Sequence, residues 1–186
     1  MRRDKAALDY HGKPQVTWAW ELLNAVTERA FVSVRSDQVS DALRAGMPQV
    51  VDQVADAGPI AGILAALSEH PEAAWLVIAC DLPFLDRRTL DFLVSKRDPG
   101  RVATAYRSSH DGLPEPLCAI YEAHARPRIE QYLGTGKNCP RKFLLQSDAL
   151  IVEQPDPQSL DNVNTPEELS AAESALDRVR RSFGAA

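Results

Sequence analysis

The feature that most constrains the fold is an apolar run, Ala74–Cys80, that ends at Asp81. A continuous apolar run of this length, rich in branched residues, predicts a strand that is buried on both faces. In open parallel sheets, ligands bind at the edge where such strands end. Asp81 lies at that edge, with Pro83 two residues later, and could hold a hard cation such as Mg²⁺. It could equally be the N-cap of a helix over 87–97, and its position alone leaves both interpretations open.

Strands and helices alternate along the rest of the chain. Helices are predicted where apolar residues recur every three or four positions, and strands where apolar residues run together between turns. The predicted helices are 15–28, 38–45, the segment from Pro59 to His70, 87–97, 122–133, 140–146 and one that begins at 165–168. The predicted strands are 31–34, 49–51, 74–80, 101–106, 116–121 and 149–152. This order predicts an α/β fold, a three-layer sandwich with a Rossmann-like, mainly parallel sheet and helices on both faces.

Size and composition narrow the classes of function. A chain of 186 residues predicts one domain over residues 1–186, with enough length to bury a core. The net charge of -5 argues against a general nucleic-acid surface, and no apolar stretch is long enough to span a bilayer. Cys80, Cys118 and Cys139 lack the spacing of metal ligands, which is typical of a protein kept in the reducing cytoplasm.

Binding residues concentrate in loops and at the starts of helices, and four short segments there stand out. They are Arg3–Leu8 with Gly12–Pro14, Asp56–Gly62, Cys80–Pro83 and Asp161–Pro166. In this order and at this spacing they resemble the MobA-like nucleotidyltransferases, the family of the molybdenum cofactor guanylyltransferases, from Arg3 to about Leu169. The resemblance implies Mg²⁺-dependent attack on the α-phosphate of a nucleoside triphosphate, with release of pyrophosphate. The expected substrates are GTP and a molybdopterin-type phosphate.

The resemblance also implies roles for single residues on the nucleotide side. Lys5 is similar to a catalytic lysine that contacts nucleotide phosphates, although a lysine at this position could also be a solvated surface residue. Asp56 is similar to an acidic residue that binds nucleotide or metal, although it could simply form a turn beside Gly58. Gly58 and Pro59 are assigned to nucleotide binding at a helix start, and Gly58 and Gly62 would let the backbone closely approach a ligand or the sheet. Alternatively, the two glycines only punctuate the helix and allow tight helix–strand packing.

The remaining implied roles concern the metal and the acceptor. Asp81 is similar to the metal-binding, catalytic aspartate of the family, which favours metal binding over capping. Asn162 and Asn164 are similar to paired asparagines that contact the second substrate. Their spacing of two in an extended segment would point both side chains the same way, with Val163 turned inward. Alternatively, Asn164 only shapes the turn into the last helix.

The chain departs from the family pattern at its beginning. Family members start with a buried strand and a loop rich in glycine and serine, whereas Met1 stands here where an internal methionine belongs and Arg2 replaces a glycine. The strand would lie in the middle of the sheet, so its loss leaves two unpaired edges. Because the loop would bind phosphates, we expect weak or absent turnover from the chain as printed.

Three explanations of this departure remain open. In the first, the natural protein has the strand and the printed sequence lacks it, through a misplaced start or through trimming, and the codons before Met1 encode a short apolar run followed by Gly-Gly and Ser. A partner chain, a second copy of this chain or the early segment itself could fill the gap. In the third, the protein is an inactive relative that binds a nucleotide or a cofactor. A separate alternative keeps the enzyme class, with transfer of a cytidylyl group or transfer to a sugar phosphate.

Overall fold

The strands form two separate sheets, and one helix packs against strands of both. The computed structural model describes residues 4–54 and 57–163. Its helices are α1 (Gln15–Asn24), α2 (Pro59–Glu69), α3 (Arg87–Ser95), α4 (Ala125–Gly134) and α5 (Pro140–Leu145), and 3-10 turns cover Lys5–Ala7 and Ser36–Gln38. Its strands are β1 (Val32–Val34), β2 (Gln49–Val51), β3 (Trp75–Ile78), β4 (Ala103–Arg107), β5 (Pro114–Tyr121) and β6 (Ala149–Val152). The predicted mixed α/β fold is confirmed.

Strand direction places several chain segments at one edge of the larger sheet. Its order is β3-β5-β4-β6, with β4 and β6 parallel and β5 antiparallel to both of its neighbours. The smaller sheet pairs β1 with β2 in parallel. Because β5 alone is reversed, β3, β4 and β6 all end at the edge where Asp81 follows β3. The hairpin turn between β4 and β5 also lies at this edge.

Helices cover both faces of the larger sheet, because side chains alternate between the two faces of a strand. Along β5, Ala119 and Tyr121 pack in a buried cluster with residues of α2, α4 and α5. Cys118 and Ile120 face the opposite side, where they pack with residues of α1 and α3. No helix among the described residues is long and apolar enough to cross a membrane.

A gap separates the two sheets, although α2 packs against β1, β2 and β3. A cavity of about 200 Å³ lies in this gap. Its lining includes Val32 and Ser33 of β1, Ile78 of β3, and Val16 and Ala19 of α1. The prediction of a strand buried on both faces at 74–80 is therefore wrong in part, since all four residues of Trp75–Ile78 are only half-buried. The side of β3 away from β5 has no strand beside it in the described part of the chain.

Two further predictions differ from the structure. The segment 38–45 is not a helix, because it forms successive turns after the 3-10 turn Ser36–Gln38. The Asp41 side chain accepts a hydrogen bond from the Leu43 N–H, which favours this local turn over a helix. The predicted helix 15–28 ends at Asn24, and the predicted helix start at 165–168 lies outside the described residues.

The contact between α2 and β1 depends on a glycine. A Cβ placed at Gly62 would lie 2.4 Å from the Ser33 Oγ and 3.2 Å from the Asp52 Oδ1, and these two side chains share a 2.9 Å hydrogen bond. Alanine raises helix propensity, but here it would displace the serine and break that bond. We expect the free energy of unfolding, measured with urea, to be about 1–3 kcal/mol lower for the Gly62→Ala variant than for the Gly134→Ala variant. Gly134 is the control because a Cβ there meets no atom within 4 Å. Equal effects of the two substitutions would show that the α2–β1 contact tolerates a methyl group.

Candidate active site

The end of β3 is joined to two distant parts of the chain. The Ala79 N–H donates to the Leu117 carbonyl at 2.8 Å, which extends the pairing with β5 up to the turn that carries Asp81. The Val163 N–H donates to the Asp81 carbonyl at 3.4 Å. Val163 is buried in a small cluster with Leu8 and Tyr10. The backbone of Asp81 therefore lies against the Asp161–Val163 segment, with the first residues of the chain packed beside it.

Lys5 and Asp81 form an ion pair, although they lie 76 positions apart in the sequence. The Lys5 Nζ donates to the Asp81 Oδ2 at 2.9 Å, and the two side chains are 30% and 24% exposed. Lys5 begins the 3-10 turn Lys5–Ala7, which Asp4 caps by accepting a hydrogen bond from the Ala6 N–H. Lys5 is thus not simply a solvated surface lysine. The pair places an ammonium and a carboxylate at the carboxyl edge of the sheet, where both remain reachable from solvent.

Asp81 does not cap the following helix. Asp86 does so instead, because its Oδ1 accepts a hydrogen bond from the Thr89 N–H at 2.8 Å. The capping interpretation of Asp81 is therefore wrong, and its carboxylate pairs with Lys5 instead. In the described part of the chain, no group of three or more His, Cys, Asp or Glu side chains is placed to hold a metal ion.

Two side chains without a sequence signal support the turn after Asp81. His11 donates from its Nε2 to the Pro83 carbonyl at 3.0 Å, and Gln15 donates from its Nε2 to the Leu82 carbonyl at 3.2 Å. Gln15 is 1% exposed although it starts an amphipathic helix. Sequence reasoning missed both residues, since their backbone partners leave no pattern of residue types to detect. Only the closeness of His11 to the first of the four segments hinted at a role.

The thiol beside Asp81 is not a candidate nucleophile. Burial raises the pKa of Cys80, and the neighbouring charge of Asp81 raises it further. A thiol whose pKa is raised is less ionised near neutral pH, and the thiolate is the reactive form. Cys118 is fully buried and its pKa is likewise raised by burial. The chemistry at this edge therefore rests on charge and oxygen or nitrogen groups rather than on sulfur.

The start of α2 forms a separate part of the candidate site. Gly58 has φ +66° and ψ −155°, a conformation that L side chains rarely adopt, and Pro59 occupies the first helical position. The first N–H groups of a helix lack helical partners and favour anions such as phosphates. This start follows β2 of the smaller sheet, whereas Asp81, which pairs with Lys5, follows β3 of the larger one. Asp56 lies outside the described residues.

Asn162, which the sequence analysis assigns to the second substrate, follows a segment that contacts the β4–β5 turn. Asn162 is exposed while Val163 is buried, as the alternation of an extended segment predicts. Asn164 lies outside the described residues. The preceding Asp161 accepts a hydrogen bond from the His110 Nε2 at 2.8 Å, and the Ser109 hydroxyl donates to the Pro157 carbonyl at 2.9 Å. The turn therefore holds the segment that leads to Asn162.

Comparisons with known proteins agree with this architecture. The model of the family described as "MobA-like NTP transferase domain" matches residues 1–150. A molybdenum cofactor biosynthesis bifunctional protein of Synechocystis is 32% identical over 90% of this chain, which spans 48% of that protein's length. A molybdenum cofactor guanylyltransferase of Pseudomonas aeruginosa is 33% identical over 90% of this chain and 85% of its own length.

A solved structure supports the fold independently. The crystal structure of molybdopterin-guanine dinucleotide biosynthesis protein A from Archaeoglobus fulgidus superimposes with a TM-score of 0.77. The match covers 95% of this chain and 92% of that one at 23% identity, so it concerns the fold alone. Together with the family match over residues 1–150, these results confirm the resemblance drawn from the four sequence segments. The chain belongs to the MobA-like family of NTP transferases, a family of nucleotidyltransferases.

Proposed function

We propose that the protein transfers GMP from GTP to a molybdopterin-type phosphate. An oxygen of the acceptor phosphate attacks the α-phosphorus of GTP, the bond from that phosphorus to the bridging oxygen breaks, and pyrophosphate leaves. The observation that carries the proposal is the ion pair between Lys5 and Asp81 at the carboxyl edge of the sheet. Guanylyltransferase relatives that cover most of the chain supply the substrate class.

The residues at this edge fit a magnesium ion. Mg²⁺ in nucleotide sites takes one or two carboxylates and completes its shell with phosphates and waters. Asp81 offers one carboxylate that is a quarter exposed and is not used as a helix cap. We propose that Asp81 holds the ion, and that Asp56 contributes to binding of the nucleotide. When bound, Mg²⁺ would offset phosphate charge and orient the reacting groups.

The chain's own residues would perform the remaining tasks. Lys5 now donates to Asp81, and the same ammonium can donate to a phosphate oxygen and offset the charge that develops during transfer. Gly58 and Pro59 would contact the nucleotide at the start of α2, where Pro59 has no N–H and the Ala61 N–H donates to the Gly58 carbonyl, so Ile60 carries the first available N–H of the helix. Asn162 and Asn164 would orient the acceptor.

Several broader expectations belong to the same proposal. We propose that residues 1–186 act as a single nucleotidyltransferase domain in the cytoplasm, where pterin phosphates and GTP meet. The gap between β1 and β3 is compatible with a further strand from a second copy or a partner chain. An acceptor other than a pterin phosphate would leave the roles of Lys5 and Asp81 unchanged.

Calorimetry with GTP and Mg²⁺, followed by an assay of pyrophosphate release, tests the proposal. We expect GTP to bind more tightly than CTP, and Mg²⁺ to strengthen binding because Asp81 would hold the ion and the ion would offset phosphate charge. Release of pyrophosphate should require the acceptor and should be weak for the chain as printed. CTP and ATP are the matched controls for the base.

The outcomes separate the candidate functions. Binding of GTP without release of pyrophosphate, even after an upstream strand and glycine-rich loop are added, would indicate an inactive binding relative. Tighter binding of CTP than of GTP would move the proposal to cytidylyl transfer. Absence of nucleotide binding in both the printed and the extended chain would overturn it.

A further inference from the structure

Arg44 is a buried cation whose partners belong to two different parts of the chain. Its side chain is 8% exposed and lies in the turns between β1 and β2. The Nη2 donates to the Asp4 Oδ2 at 2.6 Å, and the Nη1 donates to the Asp41 Oδ1 at 3.0 Å. A buried guanidinium is costly unless charged partners surround it, so these contacts hold each other in place.

Asp4 uses its two carboxylate oxygens for different purposes. While Oδ2 binds Arg44, Oδ1 accepts a hydrogen bond from the Ala6 N–H at 3.0 Å and caps the turn Lys5–Ala7. Partial burial alone would raise the pKa of Asp4, but the hydrogen bonds from Arg44 and from the Ala6 N–H outweigh it and lower the pKa. Asp4 therefore stays ionised, and its orientation fixes the residue that follows it.

A chain of contacts leads from these residues to the candidate active site. Ala6 is 2% exposed, so the turn that Asp4 caps is anchored in the core. Lys5 projects from that turn and donates to Asp81 at 2.9 Å. We propose that Arg44 is a positioning residue that acts through Asp4 to hold the Lys5 ammonium against Asp81. The consequence for nucleotidyl transfer rests on the proposed function, whereas the positioning itself does not.

Geometry explains why an arginine serves at this place. The planar guanidinium reaches two separate carboxylates with two different nitrogens, which the single ammonium of a lysine cannot reproduce. Arg44→Lys would keep the charge but lose one of the two contacts. Without the guanidinium of Arg44, the Asp4 carboxylate turns toward solvent and the cap on Lys5–Ala7 weakens. The Lys5 side chain then samples more positions.

The test measures how readily the Lys5 amine reacts with an amine-specific reagent, with peptide mass spectrometry to quantify each site. Lys13, which pairs with Glu21 on the exposed face of α1, is the internal reference. We expect Arg44→Gln to raise labelling of Lys5 about two- to fivefold relative to Lys13, since half-exposed ion pairs contribute modestly. Arg44→Lys should give an intermediate increase.

A matched variant separates positioning from a general loss of stability. Arg97 donates from Nε and Nη2 to Glu122 at 2.7 and 2.8 Å, in another paired and partly buried site, so Arg97→Gln removes a similar contact elsewhere. Labelling of Lys5 should not change in that variant. If Arg44→Gln fails to fold, Asp4→Ala tests the link from Asp4 to Lys5, because the Asp4 side chain is half-exposed and Arg44 keeps its contact with Asp41 in that variant.

Unchanged labelling of Lys5 in a folded Arg44→Gln variant, or in Asp4→Ala, would overturn the proposal. An equal increase in Arg97→Gln would also overturn it, since the effect would then reflect loosening of the whole domain. Because labelling needs neither GTP nor turnover, these results stand apart from the outcome of the nucleotide experiments. If GTP does bind, we expect Arg44→Gln to weaken its binding in parallel with the rise in Lys5 labelling, whereas Arg97→Gln does neither.

Discussion

Replacing Asp81 by asparagine is expected to lower turnover by about 10²–10³-fold, the usual cost of losing one preorganised charge at a reacting phosphate. Asparagine keeps the size of the side chain but removes the charge that would hold Mg²⁺ and that now pairs with Lys5. The rate should be measured as pyrophosphate release in a form of the protein extended by an upstream strand and glycine-rich loop. Binding of Mn²⁺ in the presence of GTP should weaken in the same variant.

The control for this experiment is Glu21→Gln. Glu21 also pairs with a lysine, at 2.7 Å, but on the exposed surface of α1 and away from the sheet edge. It should leave turnover and Mn²⁺ binding unchanged. Near-normal turnover of the Asp81→Asn variant would rule out the role assigned to this carboxylate. Normal Mn²⁺ binding with lost turnover would instead mean that Asp81 acts only by pairing with Lys5, and that other groups bind the metal.

Adding an extended apolar segment ahead of Met1 is expected to stabilise the fold. In β1, the backbone N–H and C=O of Ser33 point away from β2 and toward the gap. In β3, the backbone N–H and C=O groups of Leu76 and Ile78 point away from β5 and toward the same gap. A strand in the gap would pair with these groups and cover the apolar lining of the 200 Å³ cavity. After the entropy of ordering the added residues is subtracted, we expect a net gain of about 2 kcal/mol.

Thermal unfolding and hydrogen exchange measure this effect. A gain of about 2 kcal/mol corresponds to a rise of roughly 4–8 °C in Tm for a chain of this size. The amides of Ser33, Leu76 and Ile78 should become protected. The control is a segment of equal length with a central proline, which cannot pair on both sides. Equal Tm values for the two extended chains would show that the gap does not accept a strand.

The sequence predicts the class of fold because its signals are local. Apolar runs and helical periodicity identify most strands and helices, and Pro59 marks the start of α2 correctly. The prediction of a helix over 38–45 is wrong because the Asp41 side chain accepts the hydrogen bond of the Leu43 N–H, which favours a local turn over a helix. The prediction that Trp75–Ile78 is fully buried is wrong for another reason. Burial of a strand depends on which strands lie beside it, and the sequence pattern of a strand does not identify its neighbours.

The candidate site is only partly predictable, because its parts meet through the fold. Lys5 and Asp81 are recognisable from their motifs, but their direct ion pair is visible only in three dimensions. Arg44 has no motif, and its role depends on a turn that the sequence suggests should be helical. Only the structure excludes a capping role for Asp81, because it gives the cap to Asp86. Metal binding by Asp81 and the binding roles of Lys5, Asp56, Gly58, Pro59, Asn162 and Asn164 stay predictions.

The pairing of Lys5 with Asp81 has a consequence for the approach of ligands. A lone carboxylate at the mouth of the site would repel a triphosphate, which carries several negative charges. In the proposed function, the Lys5 ammonium would offset part of that repulsion, because it already pairs with the Asp81 carboxylate. A divalent cation that binds the Asp81 Oδ2 would have to compete with this ammonium, which favours joint arrival of cation and nucleotide over stepwise loading.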